Sequence, residues 1–248
     1  MKIVLSESQY RRLIETKKEP KILRFPSLDF FDRNERFAWN IIQKIVEKKG
    51  NVPFAIDGDL DLSHRNIHSL GTLVSVEGDL NLTQTPIQSL GNLKYVGGHL
   101  NLNETPIHNL KNLEHVGGHL GLKDSEIQSL GNLRSVGGIL ELRNTPIETL
   151  GNLETAGGVY LQDTYVENLG NLQSVQGPLV LMNTNIRTLG NLEHVGGDLM
   201  LQASLVNSFG NLKTVGKILD VAVTPLAQKY TEEQIREKIK VGGHIFLI

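Results

Sequence analysis

Three aspartates, Asp59, Asp61 and Asp79, and two histidines, His99 and His119, are the residues whose types and spacing could do chemistry. Asp59 and Asp79 are 20 residues apart, as are His99 and His119, and all four fall at one point of a recurring phrase. If the recurrences stack, neighbouring carboxylates come within about 5 Å, a separation suited to glycoside cleavage. Stacked imidazoles could hold a metal ion or respond to pH. No third metal ligand of suitable type is adjacent, because Asn101 and Gly121 intervene. The long loops that build a substrate cleft are also lacking. GDLDL and GDLNL suggest calcium only superficially, since the glycine- and aspartate-rich nonapeptide of calcium β-rolls is missing. There is no P-loop, G-x-S-x-G or H-E-x-x-H. The expectation is a protein that is not an enzyme, with no catalytic residue, no metal and no cofactor.

The phrase that positions these residues is G-x-L-x-L-x-x-T-x-I-x-S-L-G-N-L-x-x-V-G. Its L-x-L pair recurs at Leu60/Leu62, Leu80/Leu82, Leu100/Leu102, Leu120/Leu122, Leu140/Leu142, Val159/Leu161, Leu179/Leu181, Leu199/Leu201 and Leu219/Val221. The period is 20 except for one 19-residue unit, where AGGVYL has lost a residue after its double glycine. VGGHIFL near residue 245 restarts the pattern, so nine rungs are clear and a tenth is partial. Period-two alternation turns both leucines of each pair to one face of a short strand. One unit alone cannot bury them, whereas stacked units share a continuous core. Double glycines such as Gly97-Gly98 and Gly117-Gly118 read as bend residues, where positive φ is allowed. Thr85, Thr105, Ser125, Thr145, Thr164, Thr184, Ser204 and Thr224 form one polar column, and Asn92 through Asn211 another. Both are expected to satisfy backbone groups in the turns.

L-x-L-x-x-T-x-I-x-x-L resembles the core of the leucine-rich repeat, with Thr or Ser where that family has Asn. The likeness covers residues 58 to about 226 and is closest to receptor L-domains and short bacterial or viral repeat proteins. It implies a mainly β, right-handed leucine-rich-repeat-like β-solenoid of about nine to ten rungs. It also implies a scaffold that binds other macromolecules, without naming them. A unit of 20 residues leaves no room for an outer helix, so the return segment is expected to be extended.

Three regions are expected. Residues 1–57 form a helical N-terminal cap or docking segment, 58–226 the solenoid, and 227–248 a short C-terminal helix and a closing strand. In the first, Ser6 and Gln9 fit a capping box, and Tyr10, Leu13 and Ile14 follow at helical spacing. The opening MKIVLSESQYRRLIE is similar to starts of small phage-encoded proteins. KKEPKILRFPSLDFF reads as a loop, with Pro20 and Pro26 blocking a helix. Asp32 and Glu35 form a second capping box, and the helix it opens carries Phe37, Trp39, Ile41, Ile42, Ile45 and Val46, with Gly50 ending it. This helix is expected across the open end of the first rung, with Val52, Phe54 and Ile56 leading in as a strand. Thr231 and Gln234 form a capping box before the last helix. The final strand leaves an edge that could pair with a second copy.

Outward positions beside the leucines are acidic and polar in the first rungs, then turn apolar. Ile139, Glu141, Arg143, Tyr160, Val180, Met182 and Met200 make up the candidate partner-binding surface. Apolar residues on an outward face mark contact sites, and Tyr and Met are favoured in them. The expected partner is another protein. Net charge is −2 overall, with the basic excess confined to residues 1–57, so no basic stripe follows the rungs for nucleic acid. No apolar run approaches a membrane span. With no cysteine and no signal-peptide core, the expected compartment is the cytoplasm, or a host cytoplasm or virion if the chain is phage-encoded. Two alternatives remain beside protein recognition: a structural part of a larger assembly, and glycan binding or cleavage.

Overall fold

The computed structural model describes residues 22–26 and 35–248. Each repeat folds into one rung of a parallel β-solenoid and contributes to two columns of short strands. The first column runs through the L-x-L pairs, in register as Leu60↔Leu80, Leu80↔Leu100 and Leu100↔Leu120. It continues to Leu199↔Leu219 and Leu219↔Ile245, so VGGHIFL completes a tenth strand of this column. The second column stacks the valines that precede the glycines, as in Val76↔Val96↔Val116 and Val175↔Val195↔Val215. Nineteen strands join in one sheet and every recorded pairing between them is parallel. Among the described residues no helix is long and apolar enough to cross a membrane.

The apolar positions of the repeat all turn inward. Leu100, Leu102, Ile107, Leu110, Leu113 and Val116 of a single rung are each fully buried. The same positions in neighbouring rungs merge into one core that runs from Phe25 to Ile245. The threonine column is buried within it. Thr105 Oγ1 donates to the Leu102 carbonyl at 2.7 Å, and Thr85, Ser125, Thr145, Thr164, Thr184 and Thr224 repeat this bond three residues back. Ser204 is the exception, with its buried hydroxyl unpaired. The asparagines do related work at the surface. Asn112 and Asn152 donate their amides to the carbonyls of Gly91 and Gly131, one rung earlier.

The double glycines bend the chain as expected, at Gly97-Gly98 and Gly117-Gly118 for example, but not by way of positive φ. Their φ values are not positive; within the rungs the left-handed glycines are those at the S-L-G-N position, such as Gly91 at φ 61. What Gly117 provides is clearance. A Cβ there would lie 2.1 Å from the Gly97 carbonyl oxygen, so the backbone of one rung rests directly on the last. The 19-residue unit is absorbed at the same place: Val136 pairs with Ala156, but Ile139 pairs with Gly158. The lost residue therefore falls between two glycine pairs, where no side chain needs rehousing.

Both ends are closed by helices. Residues expected as loop form a strand, β1 (Leu23–Phe25), which pairs parallel with β2 (Phe54–Ile56). Its Leu-x-Phe alternation adds one more strand to the valine column, and Pro26 follows it directly. Helix α1 (Glu35–Lys48) connects the two strands. It buries Trp39, Ile42 and Val46, with Trp39 against Phe54 at 6.1 Å between ring centroids, while Ile41 stays exposed. Gly50 at φ 81 and Asn51 at φ 55 end it, and the Asn51 N–H returns to the Val46 carbonyl. The Ser6/Gln9 helix and the Asp32 cap lie outside the described residues.

At the other end two helices stand where one was expected, α2 (Pro225–Lys229) and α3 (Glu232–Lys238). Thr224, the last member of the threonine column, also caps α2 by accepting the Ala227 N–H. Extended backbone at Tyr230 separates the helices, and Thr231 and Gln234 form the expected capping box.

Candidate protein-binding face

The outward face of the L-x-L column divides into two stretches. In the first, one side chain per rung accepts the backbone N–H of the residue 20 positions on. Asp59 Oδ1 accepts from the Asp79 N–H at 2.8 Å, and Asp79 Oδ1 from the His99 N–H at 2.6 Å. His99 Nδ1 accepts from the His119 N–H at 2.8 Å, and His119 Nδ1 from the Ile139 N–H at 2.7 Å. Carboxylate and imidazole thus serve one purpose, as short acceptors for N–H groups at the rung's corner. The adjacent outward position closes on itself in the same way. Asp61, Asn81 and Asn101 each accept the N–H two residues ahead.

This geometry bears on the chemistry these residues could perform. The His99 and His119 rings stack at 4.7 Å and within 4° of parallel. Each Nδ1 is an acceptor, so each neutral ring carries its proton on Nε2. The outward atoms are then N–H donors, with no lone pair aimed at solvent for a metal. Among the described residues no group of three His, Cys, Asp or Glu could hold a metal ion. Asp59, Asp61 and Asp79 each commit one carboxylate oxygen to a backbone amide.

The acceptor column breaks at Ile139 and returns at Asp198, whose Oδ1 accepts from the Ile218 N–H at 3.1 Å. Gly158 pairs beside Ile139, and Pro178, which has no N–H to satisfy, stands one rung further on. Beyond the break, apolar side chains take over the middle of the strand line. Glu141, Tyr160, Val180, Met200 and Asp220 follow one another in strand register, one per rung. Tyr160 and Met200 are half-buried, and Val180 between them is only 6% exposed. Ile139 and Met182 are half-buried beside this line, and Arg143 is exposed. Arg143 grips Glu141 through two bonds, Nε to Oε1 at 2.8 Å and Nη2 to Oε2 at 2.7 Å, which raises the guanidinium pKa further. All seven candidate residues therefore sit on neighbouring rungs of one face. The hidden Val180 shows that side chains at rung spacing cover each other.

Two features of this surface were not read from the sequence. One is the use of Asp59, Asp79, His99 and His119 as backbone acceptors; their spacing of one full repeat was the available signal. The other is the Gln162 side-chain oxygen, buried without a hydrogen-bond partner two residues beyond Tyr160.

On the opposite column charged residues form a ladder of their own. Lys94 meets Glu114 at 3.6 Å and Arg134 meets Glu154 at 2.9 Å, while Lys213 bonds Glu193 and holds its carboxyl below the usual range. Compared with known proteins, the chain matches no family, no curated protein and no solved structure.

Proposed function

We propose that this chain is a non-catalytic binding scaffold of the short leucine-rich-repeat kind, working in the cytoplasm and recognising another protein through the L-x-L face. The contact is centred on Tyr160, Val180, Met182 and Met200, with Ile139 and the Glu141–Arg143 pair at its margin. One observation carries this reading. The same face that engages its polar side chains internally over the first rungs gives way to aligned apolar residues over the later ones. Aligned apolar side chains between polar ends are the usual composition of a contact surface. A preformed sheet face also loses little conformational entropy on docking. Glycan cleavage is the weaker reading, because Asp59 and Asp79 already bond the backbone of the next rung.

The test is an affinity capture from the source organism's lysate with wild type beside a Tyr160→Ala/Met200→Asp double variant. Wild type is expected to recover a protein that the variant loses, with both melting at closely similar temperatures. Equal recovery by both would move the contact away from this face. Loss of folding in the variant would show that these residues serve the core.

A further inference from the structure

In the valine column each rung donates its N–H groups back to the rung before. The Gly216 N–H bonds the Val195 carbonyl at 2.8 Å, and the Gly242 and Gly243 N–H groups bond Val215 and Lys217, each at 2.9 Å. Val241 pairs with Val215 and Lys240 bonds the Lys213 carbonyl, so the carbonyls of Ile239, Val241 and Gly243 are those that a further rung would bond. Among the described residues no such rung follows. Instead Arg236, from α3, donates Nη1 to the Val241 carbonyl at 3.2 Å and Nη2 to the Gly243 carbonyl at 3.0 Å. Its Nε is held by Glu232 at 2.9 Å, one helical turn earlier. A single planar guanidinium thus supplies two of the three donors that a further rung would have brought.

Among the described residues the Ile239 carbonyl and the L-x-L part of this edge have no such cover. In the L-x-L column each rung donates forward, as Leu219 to the His244 carbonyl and Val221 to Phe246. By that pattern the N–H groups of Ile245 and Leu247 point off the edge, beside a Phe246 side chain that is 47% exposed. The open L-x-L part is therefore three residues long, too short to hold a partner strand on its own. With the Arg236 carbonyls free the open edge would run from 239 to 247.

We infer that Arg236 guards this edge against pairing with a second copy of the chain. A bare strand edge is a template for another chain, and the most available strand of matching pattern is the same edge of a second molecule. Such a contact uses one surface on both copies and closes as a twofold dimer.

Self-association measured by sedimentation across a concentration series tests the inference, on the full chain. Arg236→Ala is expected to raise the association constant roughly tenfold or more over wild type, since each copy of a twofold dimer frees two carbonyls for backbone hydrogen bonds. Adding Leu247→Pro, which deletes an outward N–H, is expected to return it to the wild-type value. Should Arg236→Ala fold poorly, Arg236→Lys serves in its place, since an ammonium cannot span both carbonyls in one plane. A folded variant that associates no more than wild type overturns the inference. So does a wild type that associates as strongly as the variant, or an association that Leu247→Pro leaves unchanged.

Discussion

The first and later halves of the L-x-L face are built from one repeat and differ in what their outward side chains do. From Asp59 to His119 one outward side chain per rung is tied to the backbone of the next. From Tyr160 to Met200 the side chains on the strand line are apolar, in register and partly hidden, with Asp198 beside them still tied to the next rung. The difference teaches that outward residues of a solenoid are not all equally available to a partner. A polar residue there can be structural, and an apolar one can be the better mark of recognition.

The largest expected effect concerns what the halves share. Leu100→Ala and Leu140→Ala empty equivalent, fully buried sites of one core. Each is expected to cost about 2–5 kcal/mol in urea unfolding, whichever half it lies in. A large inequality between them would mean that the halves differ in their core as well as on their face.

A smaller effect separates the halves. His99→Ala removes the acceptor for the His119 N–H and is expected to cost about 1 kcal/mol, with faster hydrogen exchange at that amide. His99→Asp supplies the acceptor that Asp79 already provides one rung earlier, and is expected to recover most of the loss. If alanine and aspartate behave alike, the polar column is not structural and the contrast between the halves fails.

The smallest stability effect belongs to the apolar half. Met200→Asp changes a half-buried outward side chain that no hydrogen bond holds, and is expected to move stability by no more than about 0.5 kcal/mol. A loss comparable to that of Leu140→Ala would place Met200 in the core.

Much of this architecture was legible because it is periodic. The alternation at each L-x-L pair, the threonine column and the Thr231/Gln234 cap all express local rules that need only a few neighbouring residues. β1 was missed because Leu23–Phe25 is a short apolar pair among basic residues and prolines, and it becomes a strand only when β2 lies beside it. The bend at the double glycines was legible, but the reason that only glycine fits there was not. A glycine needed for clearance looks, in sequence, like a glycine needed for positive φ. The collision at Gly117 is with a carbonyl one whole repeat away.

The sequence by itself determined which residues face inward, how many rungs stack and where the outward face changes from polar to apolar. Those properties follow from the order of side chains along one strand and one turn. Only the tertiary structure decided that Asp59, Asp79, His99 and His119 are hydrogen-bond acceptors, that Val180 is hidden between Tyr160 and Met200, and that Arg236 closes half of an edge. The physical reason is register. A hydrogen bond or a covered side chain here depends on atoms about 20 residues apart being set within a few ångströms by stacking, and no local pattern specifies that distance.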